Sequence, residues 1–368
     1  MDLGIMFFST LHESACRDRY RLLLETARFA DREGFRCVWT PERHGHPFGG
    51  LFPNPSVTSA ALAMVTDRLQ LRAGSLISPL HQPLRIAEEW SVVDNLSRGR
   101  VAISFGSGWN ADDFVFFPER YAERQRVMYD QLAQVRSLWR GESLRQPNGA
   151  GKQISVTLFP RPVQPELPVW ITSSGNPATF VGAGAAGANL LTHLIGQDLE
   201  AVAAKIDLYR EARREHGFAG GTVSMMLHTF VGNDREALRS KVRGPFREYL
   251  RTAVSLEQLA AAGGGAISGG HRVDPHDIPR DVLEDLLDVT CERYLQGASL
   301  IGTPAECATM IDRLAAIGVD EIACLIDFLP DRQAIEESLV LLAELRAAVA
   351  GAAPAGLQAA SFSGDLEG

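Results

Sequence analysis

What this chain lacks narrows the field first. Its five cysteines, Cys16, Cys37, Cys291, Cys307 and Cys324, show no C-x-x-C spacing. That pattern argues against a disulfide framework or a zinc site and for buried thiols in a reducing compartment. There is no block of lysine and arginine, and the net charge is −9, which makes nucleic acid and anionic membrane poor partners. No apolar run approaches the roughly 20 residues of a membrane span. The N-terminal MDLGIMFFST has neither a basic flank nor a cleavage site, so it reads as a first strand rather than a leader. A soluble, cytoplasmic protein is the expectation.

What is present is a core-building composition. Of 368 residues, 45% are hydrophobic and 22% charged, a globular balance in a length that suits a decorated α/β barrel. Eight strand-like segments, 2–9, 35–39, 69–77, 100–105, 168–172, 189–195, 223–231 and 321–328, alternate with helical patterns. Helices are expected over 17–33, 119–140, 199–216, 281–295 and 331–349, among others. Thr303 and Pro304 mark one N-terminus and Gly34 one C-terminus. The alternation predicts a (β/α)8 TIM barrel of one domain over 1–350. Insertions are placed around 141–167 and 241–297, and a flexible tail over 351–368.

In such a barrel, chemistry sits on the loops after the strands. The first candidate follows the second strand and carries Glu42, Arg43, His44 and His46. A histidine there can act as acid or base with Glu42 orienting it; equally, Glu42 and Arg43 could pair and His44 cap a helix. No further cluster of Cys or His supports a metal. The loop 173–178, SSGNPA, offers Ser173, Ser174, a close-approach Gly175 and Asn176 before Pro177, a pattern suited to holding an anion on free helix amides or simply to capping. GSGWNADDF (106–114) gives Gly106, Trp109 and Asn110 for a planar ring, or merely a turn that needs glycine. Arg124 could reach an anion. His81 and Gln82 lie beyond strand three, near Ser75 and Ser78. GAGAAGA (182–188) follows a helix rather than opening one, so it is not a dinucleotide fingerprint.

Four motifs in order carry a resemblance: G-F-x-x-V-W-x-x-E-R-H-G (34–45), LRAGSLISPLHQPLRIAEEW (71–90), D-x-L-S-x-G-R-x-x-x-x-x-G-x-G-W (94–109) and SSGNPATF (173–180). Together they resemble the bacterial luciferase-like flavin-dependent monooxygenases, and more narrowly the branch associated with nonribosomal peptide and polyketide biosynthesis. The resemblance spans residue 2 to about residue 349. It implies reduced FMN in the barrel mouth, with O2 as co-substrate and a C4a-hydroperoxyflavin as the oxygenating species. Ser174, Gly175, Asn176 and Arg124 would hold the phosphate. The ring would lie near Ser75 and the Gly106–Asn110 loop, and Gly74–Ser75 is where a cis peptide is expected. His44, Glu42 and Arg43 would be the catalytic set. Separately from the resemblance, closure of the 260–280 segment, which includes the Gly/Ala-rich run 260–272, over the mouth could shield the site from water.

The implied partners are a separate flavin reductase, an acyl or peptidyl carrier protein bearing the substrate, and a second copy of the chain in a homodimer. Where the luciferases carry Glu-His-His, this chain has Glu42-Arg43-His44, and their reactive cysteine has no counterpart in SFGSGW. Light emission and an aldehyde substrate are therefore not expected. Deazaflavin-dependent hydride transfer and a non-catalytic flavin-binding subunit are the two rival readings.

Overall fold

The computed structural model describes residues 1–8, 18–262 and 280–351. In chain order the strands are β1 (Asp2–Met6), β2 (Cys37–Thr40), β3 (Gln70–Ile77), β4 (Val101–Gly106), β5 (Leu144–Pro147), β6 (Gln153–Val156), β7 (Val169–Thr172), β8 (Asn189–His193), β9 (Val223–Val231), β10 (Leu300–Gly302) and β11 (Glu321–Leu325). Eight of them pair in parallel in the order β9-β11-β1-β2-β3-β4-β7-β8, and β8 closes the ring onto β9. This is a (β/α)8 barrel, and its eight strands are those the apolar runs predict.

The helices are α1 (Arg21–Arg32), α2 (Pro55–Ala63), α3 (Pro83–Ser97), α4 (Arg124–Arg140), α5 (Pro177–Ala185), α6 (Leu199–Glu215), α7 (Arg235–Ala262), α8 (Arg280–Gly297), α9 (Pro304–Ala316) and α10 (Arg332–Val349). Local chemistry fixes where they start. Asn54 accepts from the amides of Ser56 and Val57, and Asp198 accepts from that of Ala201. Thr303 and Glu306 close a full capping box.

Differences from the sequence pattern have local causes. The helix expected from 119 begins at Arg124, because the chain first makes two 3-10 turns, Ala111–Phe116 and Pro118–Arg120. The last barrel strand stops at Leu325 rather than 328. The expected insertion at 141–167 contains the antiparallel hairpin β5–β6. The one expected at 241–297 falls on α7, which starts earlier, and α8. β10 pairs with the upper end of β9 and is too short for periodicity to announce. Most of the proposed 260–280 cover lies outside the described residues. Among the described residues no helix is long and apolar enough to cross a membrane.

The barrel floor is polar. Arg72 on β3 reaches across to Glu321 on β11 at 2.7 Å. Glu321 also accepts from the Ser224 hydroxyl at 2.9 Å, and Ser224 accepts from the Trp170 indole at 3.1 Å. The guanidinium lies over the rings of Trp39 and Trp170, 4.7 and 4.3 Å from their centroids. Both charges are 2% exposed, so each is tolerated only because the other is there. Arg72→Met should therefore strand the carboxylate and cost about 3–5 kcal/mol in urea unfolding, while Arg72→Met with Glu321→Met should recover much of that loss.

Candidate active site

The loop after β2 turns Glu42 inward, where its side chain is sealed from solvent. Its Oε2 accepts the Ile77 amide at 2.6 Å. Its Oε1 takes two imidazoles at once, His44 Nε2 at 2.9 Å and His81 Nε2 at 2.6 Å. An ionised carboxylate only accepts, so both Nε2 atoms carry hydrogen and both Nδ1 atoms are left as the available bases. The two histidines keep 15% and 21% exposure while Glu42 has none, so the carboxylate orients and the rings face the mouth. Glu42 and His44 thus come together as expected. His81, noted in the sequence only for lying beyond strand three, joins them as an equal. Its carbonyl is pinned by Arg120 at 2.7 Å and Gln131 at 2.9 Å. His46 serves the turn, accepting from the Phe48 amide.

Arg43 does not pair with Glu42. It is buried and faces Asp113 at 3.6 Å, with its guanidinium 4.9 Å from the Trp109 ring and 5.6 Å from Phe8. Burial raises the Asp113 pKa, against the pull of Arg43, His44 and Asn110. Arg43 thereby clamps the second-strand loop to the loop after β4. Trp109 stays 39% exposed. Asn110 is spent inside the turn, accepting from the Asp112 amide and donating to Asp113.

The SSGNPA loop sits after β7. Gly175 has φ +107°, and a Cβ there would meet Gln197 Cδ at 2.8 Å, so only glycine fits. Ser173 is buried, Ser174 and Asn176 are exposed, and Asn176 caps α5 through the Ala178 amide. The Tyr129 hydroxyl lies where a Gly182 side chain would be. Tyr129 of α4 thus packs against α5. Arg124 opens α4, braced on the carbonyls of Gly108 (2.8 Å) and Tyr121 (2.9 Å). The Ala178 amide is taken by Asn176 and the Gly175 amide by the Ser173 hydroxyl, so the amides this loop leaves for an anion are those of Ser174 and Asn176.

Between the two loops the Gly74–Ser75 peptide is cis. The Ser75 hydroxyl bonds Thr172 at 2.5 Å, and Thr172 bonds Ser104 at 2.6 Å, giving a line of hydroxyls across β3, β7 and β4. Gly106 leaves room for Ser75, since a Cβ there would stand 3.2 Å from its Cβ. Two further histidines face this lumen and were not singled out by sequence: His193 on β8 and His228 on β9. The signal available was their place in strand segments, His193 at the end of β8 and His228 within β9, alternating with core residues.

A family model for luciferase-like monooxygenases matches residues 1–321, and the chain belongs to that family. It is 25% identical over 312 residues to an FMNH2-dependent dimethylsulfone monooxygenase of Pseudomonas fluorescens, covering 80% of this chain and 79% of that one. It is 26% identical over 225 residues to the oxygenase component of a flavin-dependent trigonelline monooxygenase of Acinetobacter baylyi, covering 59% and 61%. Among solved structures, the monooxygenase RslO1 from Streptomyces bottropensis superposes with TM-score 0.75 at 25% identity over 94% of this chain and 98% of that one. An F420-dependent secondary alcohol dehydrogenase shares the fold, with TM-score 0.68, 18% identity, and 94% and 97% coverage.

The shared carboxylate has a pH signature. Burial opposes ionising Glu42, but the bonds from His44, His81 and Ile77 together outweigh it, and the net pKa lies below the ordinary 4.5. Burial also opposes protonating His81, yet the Glu42 bond and charge lift its pKa above the ordinary 6.5. The Glu42 contribution to stability is present above 4.5 and lost as pH falls through the lowered value. That of His81 is full below 6.5 and lost as pH rises through the raised one. NMR titration of the imidazoles should find His81 above 6.5 in the wild type and lower in Glu42→Gln; an unchanged value would sink the shared-carboxylate assignment.

Proposed function

We propose that this chain is the oxygenase component of a two-component flavin monooxygenase, using FMN reduced by a separate reductase, and O2, to oxygenate a small organic substrate. The observation that carries the reading is one buried carboxylate, Glu42, holding the imidazoles of His44 and His81 on the loops after β2 and β3. The relatives named as FMNH2-dependent and as an oxygenase component support the cofactor and the reductase. The carrier-tethered substrate, the assembly-line setting and the homodimer rest on the sequence resemblance alone.

On this reading the loop before α5, at Ser174, Gly175 and Asn176, holds the flavin phosphate together with Arg124. Ser75, Gly106 and Trp109 border the ring, and Ser173 and Asn110 shape their loops from behind. Bound reduced flavin would supply the electrons that divide O2 between product and water. The protein's share is to position and to keep water out. His44 and His81 take up or release protons at Nδ1, Glu42 fixes both rings, and Arg43 ties the loop to Trp109.

The decisive test is an anaerobic mix of protein with photoreduced FMN, followed by oxygen. Protein-dependent slowing of flavin reoxidation is expected, abolished or strongly altered in Glu42→Gln. Reoxidation at the rate of free FMN, or selective binding of reduced F420, would overturn the reading in favour of a non-catalytic subunit or a hydride-transfer enzyme. Gly175→Ala, in which the new Cβ drives into Gln197, should weaken FMN binding by about tenfold or more, the equivalent of 1.4 kcal/mol, as read by flavin fluorescence.

A further inference from the structure

One buried group has no role in the chemistry above. On β9, Ser224, Met226 and His228 share a face, because side chains alternate along a strand. Ser224 lies in the lumen, bonded to Glu321 and Trp170, so His228 points into the lumen two layers higher. It is 2% exposed, and its Nε2 has no hydrogen-bond partner among the described residues. Native structures rarely leave such an atom unpaired without a use for it.

The surroundings of His228 are all aromatic. Phe246 and Tyr249 of α7, Tyr294 of α8 and Phe328 beyond β11 stand edge-on to the imidazole, with centroids 5.0, 5.1, 5.3 and 5.6 Å away. Tyr249 continues to Phe48 at 5.3 Å, and Phe48 to Phe8 at 5.3 Å. Phe8 in turn lies under Arg43. A continuous aromatic wall therefore runs from His228 to the Glu42–His44 loop. Burial lowers the His228 pKa to about 3, so the ring is neutral at working pH. Gly244 and Pro245 precede the two α7 rings, and Pro245 interrupts helical hydrogen bonding within α7. That makes this stretch of the wall the part best able to give way to an incoming molecule.

We propose that this wall is the substrate-recognition surface of the mouth, taking an uncharged aromatic molecule whose single carbonyl or hydroxyl oxygen is held by His228 Nε2. The assignment rests on the reading of the mouth as an oxygenase site. The rings give edge-to-face contacts to a planar substrate. Around His228, at the end of the wall away from Arg43, the ring contacts carry no charge, so an ionic substrate would be buried there uncompensated. Besides the Tyr249 and Tyr294 hydroxyls, His228 is the polar group of the wall that tells an oxygenated ring from a bare hydrocarbon, and His228→Phe isolates its share.

The test is binding, without flavin, by titration calorimetry with four probes: acetophenone, phenol, toluene and benzenesulfonate. Wild type should bind acetophenone or phenol about tenfold tighter than toluene, the scale of one well-placed hydrogen bond, and benzenesulfonate not measurably. His228→Phe should lose that preference while keeping toluene, and should melt no lower than wild type, because it removes an unpaired buried polar atom. Phe246→Leu, which leaves His228 in place, should weaken all aromatic probes alike. The proposal is overturned if benzenesulfonate binds wild type as well as acetophenone does, if His228→Phe keeps the wild-type preference, or if no probe saturates. A parallel FMN titration separates the two readings: lost FMN binding counts against the oxygenase, whereas altered probe selectivity with FMN binding intact concerns the wall alone.

Discussion

The barrel depends on one buried ion pair. Arg72 and Glu321 come from strands on different sides of the ring and meet across its floor, so every layer above is stacked on a fixed polar base. Gln70 and Ser224 take the remaining bonds of the pair, and Trp39 and Trp170 cover the guanidinium's faces. A low-dielectric floor makes this contact strict in geometry, since a misplaced partner would leave a bare charge inside. Strictness at the floor fixes the register of the strands, and with it which side chains reach the mouth.

At the mouth a second carboxylate plays the corresponding role. Glu42 joins the loops after β2 and β3 by accepting from His44, His81 and the Ile77 amide. Arg43 joins the β2 loop to the one after β4 through Asp113 and Trp109. Three consecutive loops are thus tied by two adjacent residues of opposite charge, each turned to a different neighbour. The outcome is two imidazoles held in fixed orientation by one carboxylate.

The mouth is divided in character. The side from β2 through β7 is polar, with imidazoles, a line of hydroxyls and the SSGNPA loop. The side from β9 through β11 is lined by rings carried largely on α7 and α8. Such a division suits a cofactor anchored by its anion on one side and an apolar reactant pressed from the other, with little space for water between them.

The sequence by itself determined the eight strands, because a parallel strand buried on both faces must read as an apolar run. It also determined the cap at Thr303, the glycine at 175 and the candidacy of Glu42 with His44, since each is a matter of a few neighbouring residues. Only the tertiary structure decided that His81 shares the Glu42 carboxylate, 39 positions away, and that Arg43 turns to Asp113 instead of Glu42. It alone brought His228 beneath rings from α7, α8 and the end of β11. These contacts depend on strand order and register, which put residues distant in the chain at one height in the lumen. Periodicity reports which face of a strand is buried, but not which buried faces meet.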